Sequence, residues 1–306
     1  MTSGDGRPLR IATRRSALAL AQAEAVAGAL GELGHAWMIV PMSTRGDAGA
    51  PGPLGTGGVK GLFVDEIVRA LASGDVDVAV HSAKDLPASD PDGIVVAAIP
   101  PRAPAHDVLV TRLPALPPGG CVGTSSLRRR AQLMASRPDV EVVELRGNVD
   151  SRLRRLEAGD VDGVILAAAG LSRLGLSPRH AEALDVADMV PAPAQGFLAI
   201  QTRATGDAFA AAALLDDSAS RRSWEAERHL VRALGADCAL PVGAFARPGG
   251  ASLVLDAVVL SADGARRVDA HARGADPRTV AQAAAETLFA GGAGTLLAPF
   301  TTRRAG

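Results

Sequence analysis

The stretch GDVDVAVHSAKDL, Gly74 to Leu86, aligns without a gap to GDVDGVILAAAGL, Gly159 to Leu171. Each copy follows an amphipathic segment, IVRALAS in the first and RLRRLEA in the second. A helical pattern, a glycine turn and an apolar run of strand length, met twice in one order, predict two similarly folded halves. The surrounding sequence has the same rhythm. Leu9 to Thr13 reads as a strand, Ser16 to Leu33 as a helix with Ser16 at its N-cap, Ala36 to Pro41 as a strand, Phe63 to Ser73 as a helix and Val76 to Val80 as a buried strand. The alternation continues through Cys121 to Gly123, Leu127 to Ser136, Glu141 to Leu145, Val149 to Ala158 and Val161 to Ala167. Strands alternating with helices predict mostly parallel α/β sheets. Near the end, Leu253 to Arg273 predicts two strands around the turn ADG and Thr279 to Phe289 an alanine-rich helix, together a small sheet-and-helix domain.

The two copies part where their strands end. The second finishes in LAAAG and the first in HSAKD, so the local fold does not require the polar cluster of His81, Ser82, Lys84 and Asp85. The cluster falls just past the C-terminal end of a parallel strand, where α/β sheets place ligand sites. A nucleophilic triad brings its three side chains together from separate segments, and neighbours at a strand end point in different directions. There is no G-x-S-x-G elbow either. His81 and Ser82 therefore read as strand-end hydrogen-bonding residues. Asp85, beside Lys84, reads as a carboxylate held near cations, able to hold and move a proton on a substrate.

A chain of 306 residues is long enough for two or three domains with cores of their own. No apolar run approaches the roughly 20 residues of a membrane span, and MTSGDGRPLRIATRR lacks the apolar stretch of a signal peptide, so a soluble cytoplasmic protein is expected. Cys121 and Cys238 make neither a disulfide framework nor a metal-ligand spacing. A net charge of −1 with no tyrosine argues against a nucleic-acid binder. Of the 32 basic residues only Lys60 and Lys84 are lysine, which marks two places where a flexible ammonium is kept in place of a planar guanidinium. Thr44 to Gly58 collects Gly, Pro, Asp and Thr without periodicity and predicts a mobile loop.

The arginines suggest the ligand. GTSSLRRR, Gly123 to Arg130, reads as a turn entering a helix N-terminus, where free N–H groups and the helix dipole favour an anion. Arg128 and Arg129 follow directly, LRGNVDSR adds Arg146 and Arg152, GLSR adds Arg173, and IATRRS adds Arg14 and Ser16. Strand ends and first turns, on one rim of the sheets, are the expected places for all of them. Any one could be an ordinary solvated arginine, as Arg154 and Arg155 are expected to be. As a set they favour a ligand with several carboxylates or phosphates.

These segments carry a resemblance. IATRRSALALAQA, TRGD, GGVKGLF, VHSAKDLP, VGTSSLRRRAQL, LRGNVDSRL, LAAAGLSRLGL, PAQG and AERHLVRALGADCALPVGAF resemble, in this order, the motifs of the porphobilinogen deaminase (hydroxymethylbilane synthase) family. The match runs from about Arg10 to Phe245. It implies an α/β protein with two periplasmic-binding-protein-like (type II) domains around a cleft and a small α+β C-terminal domain. The expected boundaries are 1–100 with 197–215, 105–190, and 218–306. It further implies a dipyrromethane cofactor in thioether linkage to Cys238, Asp85 as catalytic acid/base, and porphobilinogen as substrate, joined head to tail with loss of ammonia and released by hydrolysis as a linear tetrapyrrole. Arg14, Ser16, Lys84, Thr124, Ser125, Ser126, Arg128, Arg129, Arg146, Arg152, Arg173 and Gln195 match cofactor- or substrate-binding positions, and Lys60, Gly61 and Phe63 match the end of a lid. The family implies a monomer, no metal, no nucleic-acid or membrane partner, and a product passed to uroporphyrinogen-III synthase.

Three departures stand out. Thr56 replaces a second lid lysine, Asp150 replaces a glycine in the arginine segment, and GADC replaces the usual GGC, setting Asp237 beside Cys238. Cys121 is expected to be structural. Two other classes share parts of the pattern. A solute-binding protein would explain the arginines but not Asp85 with Cys238, and a cysteine or serine hydrolase would explain HSAKD but predicts acyl substrates.

Overall fold

The computed structural model describes residues 7–43, 61–87, 89–235 and 240–301. The chain begins with β1 (Leu9–Arg14), α1 (Ala17–Glu32), β2 (Trp37–Met42), α2 (Gly61–Ser73), β3 (Val78–Ser82) and β4 (Ile94–Ala98). Next come β5 (Asp107–Thr111), β6 (Cys121–Gly123), α3 (Leu127–Ser136), β7 (Glu141–Val143), α4 (Val149–Glu157), β8 (Gly163–Ala167), α5 (Ala168–Arg173) and β9 (Ala181–Ala183). Then follow β10 (Leu198–Arg203), α6 (Asp207–Ala213), α7 (Ser218–Ala233), β11 (Val242–Gly249), β12 (Ser252–Leu260), β13 (Arg267–Gly274), α8 (Pro277–Ala290) and α9 (Ala293–Thr301). The described residues divide into two compact units. The first takes those up to Ala103 together with Phe197–Arg222, and the second takes Pro104–Gly196 and those from Ser223 on.

The sheet of the first unit has the order β2-β1-β3-β10-β4, and the larger sheet of the second has β7-β6-β8-β5-β9. These are the same arrangement position for position. β1, β2 and β3 run parallel, as do β6, β7 and β8, because helical crossovers join them. One strand in each sheet, β10 or β5, runs against its neighbours. Neither reaches its partners through a helical crossover, so nothing compels it to be parallel. The expected mostly parallel α/β sheets therefore each include one reversed strand.

Period-two alternation builds a core on both faces of each sheet. Ile11, Val78 and Val80 face Val26 and Leu30 of α1, while Ala12 and Ala79 face Ile67 and Leu71 of α2. In the second unit Val164 and Leu166 pack with Leu156, and Ile165 with Leu133 and Val142 on the other side. Ser16 caps α1 through its Oγ, as its type and position predict.

The echo has a structural cause at each position. Gly74 and Gly159 adopt φ of +80° and +81°, the left-handed conformation that terminates a helix and favours glycine. Val76 and Val161 are buried. Asp77 accepts the Arg10 N–H at 3.0 Å and donates its own N–H to the Arg10 carbonyl, and Asp162 does the same with Cys121. Arg203, which ends β10, and Arg112, just after β5, then approach these two carboxylates from the antiparallel strand.

A third sheet, order β11-β12-β13, is antiparallel and is covered by α8. The turn between β12 and β13 holds the predicted ADG. β11 was not anticipated, since its polar and small residues hide its alternation. Within the second unit this sheet touches α3, where a Cβ on Gly264 would meet the Ala131 carbonyl oxygen at 2.4 Å. Among the described residues no helix is long and apolar enough to cross a membrane.

Candidate active site

In the first unit β1 and β3 are adjacent and parallel, so their C-terminal ends share one edge of the sheet. Arg14 closes β1, and the single 3₁₀ turn Ala83–Asp85 carries Lys84 and Asp85 just past β3, all three half-buried. His81 lies inside the strand opposite Ala199 and is 6% exposed. Burial pulls its imidazole down to about 4, opposed by the Asp85 charge and assisted by that of Arg14. The ring is therefore neutral near pH 7. Ser82 Oγ and the Gln22 side chain exchange hydrogen bonds of 2.9 and 3.0 Å. His81 and Ser82 are thus structural and form no triad. In the second unit the positions matching Lys84 and Asp85 are Ala169 and Gly170, inside α5.

In the second unit β6 ends at Gly123 and leads into the TSS turn. Thr124 Oγ1 accepts the Ser126 N–H at 3.2 Å, and Ser126 caps α3 by accepting from the Arg129 N–H. Arg128 and Arg129 do not lie open on a rim as expected, since they are 3% and 6% exposed. Both turn onto Asp107 at the head of β5, each at 2.7 Å, and both also donate to backbone carbonyls, Arg128 to Val190 and Arg129 to Ile165. Gln195 donates to the same carboxylate at 2.8 Å and to the Ala105 carbonyl. Burial alone would raise the Asp107 carboxyl, but the two guanidinium groups outweigh it and hold the group well below the ordinary carboxylate range.

Arg152, in the first turns of α4, donates to the Gly147 carbonyl at 2.9 Å and to Ser125 Oγ at 3.2 Å. Arg173 sits in the last turn of α5, not at a strand end, and donates to the Gly196 carbonyl at 2.7 Å. Neither has a carboxylate partner among the described residues. Burial lowers both to about 10, with Arg129 adding repulsion at Arg152. Arg146 is exposed and pairs with Glu144.

Cys238, Asp237, Thr56 and Lys60 lie outside the described residues. So does the Thr44 to Gly58 segment. Gly61 and Phe63 fall in the first turn of α2. Cys121 is half-buried at the start of β6, its thiol raised by burial and by Glu141 and Asp162, as suits a structural cysteine.

Two buried carboxylates escaped the sequence reading. Asp107 heads the apolar run DVLV, and Glu227 stands on the buried face of α7 among Trp224, Leu230 and Leu234. An acid inside an apolar stripe is the signal that could have found them, because such a group stays only where donors meet it.

The chain is thus a mixed α/β protein with two five-stranded sheets of one strand order and a small C-terminal sheet. In the first unit Lys84 and Asp85 stand past a strand end, and in the second Arg152 and Arg173 are half-buried without an acid partner among the described residues. The family described as "Porphobilinogen deaminase, dipyromethane cofactor binding domain" matches residues 9–211, and "Porphobilinogen deaminase, C-terminal domain" matches 222–290. The porphobilinogen deaminase of Xanthomonas euvesicatoria pv. vesicatoria is 46% identical over 301 residues, covering 95% of this chain and 98% of that one. That of Acidithiobacillus ferrooxidans is 46% identical over 299 residues, covering 94% and 97%. Among solved structures, a periplasmic substrate-binding protein of an ABC transporter from Coxiella burnetii aligns with a TM-score of 0.40 and 16% identity over 72% of this chain and 96% of that one. The chain belongs to the porphobilinogen deaminase family.

Proposed function

We propose that this chain is a transferase that joins porphobilinogen molecules head to tail into the linear tetrapyrrole hydroxymethylbilane, with Asp85 as its acid/base and Cys238 as the attachment point of its cofactor. The observation that carries the reading is the pair Arg152 and Arg173. Two half-buried guanidinium groups, depressed by burial and held by neutral acceptors, are sites at which an anion relieves a desolvation cost. Porphobilinogen and a dipyrromethane built from it carry acetate and propionate carboxylates, so the residues present fit both. When bound, the dipyrromethane supplies the pyrrole carbon to which the first substrate is joined.

The chain's own residues then have separable tasks. Arg152, Arg173 and Arg146 bind carboxylates, and Ser125 orients Arg152. Arg128 and Arg129, anchored on Asp107, keep positive charge behind the TSS turn, and Thr124 and Ser126 shape it. In each cycle the aminomethyl C–N bond of porphobilinogen breaks, ammonia leaves, and a C–C bond forms to the attacking pyrrole carbon, which loses its proton. Asp85 donates a proton to the departing amine, stabilises the electron-poor deaminated ring and accepts the proton released on rearomatisation. Arg14 and Lys84 flank it and hold substrate carboxylates. Water finally cleaves the product. Lys60, Gly61 and Phe63 serve a lid. The chain is read as three domains, 1–100 with 197–215, 105–190 and 218–306, acting as a cytoplasmic monomer that hands its product to uroporphyrinogen-III synthase.

The test is the intact mass of the purified chain beside Cys238→Ser, with ammonia release from porphobilinogen measured on both. A dipyrrole-sized excess on the wild type, absent from the variant, with ammonia release by the wild type, is expected. A bare-chain mass for both after incubation with porphobilinogen, without ammonia, overturns the proposal.

A further inference from the structure

Glu227 is fully buried on α7, yet it is a carboxylate. Its Oε2 accepts the Ala194 N–H at 2.5 Å and its Oε1 accepts the Ala246 N–H of β11 at 2.8 Å. Ala194 has φ of +62°, the one positive value among the described non-glycine residues. A Cβ in the left-handed region is disfavoured, so this backbone persists only where its surroundings over-determine it. The residues after Ala194 carry the consequence. Gln195 donates to Asp107, which holds Arg128 and Arg129, and the Gly196 carbonyl accepts from Arg173. One strained residue thus precedes both the Gln195 amide that donates to Asp107 and the Gly196 carbonyl that accepts from Arg173. The loop is also fastened to β11 from its other end, where Ala244 N–H donates to the Pro191 carbonyl.

From this geometry we infer that Glu227 is a positioning residue, whose two-oxygen acceptor holds Ala194 in its left-handed conformation and through it places the Gly196 carbonyl that holds the anion-binding Arg173 and the Gln195 amide that meets the Asp107, Arg128 and Arg129 cluster. The inference rests on the proposed function, since it takes Arg173 as a ligand for a carboxylate of cofactor or substrate and Arg128 and Arg129 as the positive charge held behind the TSS turn. A carboxyl group offers an acceptor oxygen at both ends, which an amide does not. In Glu227→Gln the amide turns an NH₂ toward one of the two backbone N–H groups, so either Ala194 or Ala246 loses its partner while shape and volume stay.

The experiment compares the full-length wild type, Glu227→Gln and Glu227→Gln/Ala194→Gly, each as purified and after cofactor removal for the loading measurement. Three readouts are taken, namely amide exchange of the peptide spanning 190–197, the rate at which the dipyrrole mass is acquired from porphobilinogen, and kcat and KM separately. Glu227→Gln is expected to exchange faster in that peptide, to load more slowly, and to lose about ten- to a hundredfold in kcat/KM, because misplacing binding groups by an ångström is worth that much. Adding Ala194→Gly is expected to recover about fivefold, since glycine removes the left-handed cost of the Cβ. Unchanged exchange and rates in Glu227→Gln, or a loss that Ala194→Gly does not recover, overturns the inference. Should Glu227→Gln fail to fold, Ala194→Val displaces the same loop with Glu227 intact. It is expected to show the same loss, and wild-type exchange and rates there are equally fatal. A wild type that takes up no dipyrrole and releases no ammonia defeats the functional reading instead, and the amide exchange still decides whether Glu227 holds the loop.

Discussion

Asp107 gathers three buried donors of the second unit onto one side chain. Fully buried, it accepts from Arg128, Arg129 and Gln195. Removing its charge strands two buried cations, so Asp107→Asn is expected to destabilise the chain by about 3–5 kcal/mol, read from the shift of its urea unfolding midpoint. A loss below about 1 kcal/mol would show that the arginines find other partners. The sequence marked Arg128 and Arg129 as anion-binding by type and place, and it was silent on the acid that meets them. Asp107 lies about twenty residues away in the chain, and only the pairing of β5 with β8 carries it to α3. Distance in the chain likewise hid Glu227, 33 residues from the Ala194 N–H that donates to it. Asp85 was singled out because its difference from the second copy is local, and Cys238, outside the described residues, because its motif is contiguous.

At the scale of the element, the repeated GDVD is a helix stop, a core residue and a strand clamp in four positions. Its glycines and the glycine before the TSS turn fail for different reasons when substituted. Gly159 has open space for a side chain but a φ of +81°, so Gly159→Ala is expected to cost about 1 kcal/mol from the backbone alone. Gly123 has no such backbone demand, but a Cβ there would sit 2.6 Å from Leu145 Cδ2 and 2.9 Å from Leu145 Cβ. Leu145 is fully buried and has nowhere to turn, so Gly123→Ala is expected to cost about 1–3 kcal/mol and to shift the turn that shapes the arginine site. Urea unfolding of both variants, with kcat/KM, checks this. Lost stability in both with lost activity in Gly123→Ala alone is the expected pattern. Helices α1 to α4 and α8 and the parallel strands were readable from periodicity, whereas β4, β5, β9 and β10 and the helices α5, α6, α7 and α9 were not.

For the whole molecule, the buried groups set how stability depends on pH. His81, with an ordinary value of 6.5 lowered by burial to about 4, binds its proton more readily in the unfolded chain. Its contribution is complete above pH 6.5 and is lost as pH falls toward 4, about 3 kcal/mol in all. Asp77, with burial raising it and Arg10 lowering it more strongly to about 2, keeps its contribution above pH 3.8 and loses it as pH falls toward 2. Acid unfolding is therefore expected in two stages, the first tracking His81. An NMR titration of the His81 ring with a midpoint near 4 supports this, and a midpoint near 6.5 contradicts it. The chain by itself determined the two-fold repetition, the helices, the strand-end polar cluster and the family, because each depends on residues close together in sequence or on motifs read in order. The tertiary structure alone decided which strand in each sheet runs backwards, which arginines are buried on Asp107 and which lack an acid partner, and that Glu227 holds a strained alanine. Those outcomes depend on which distant groups desolvate one another, and burial and long-range pairing have no local signature in the chain.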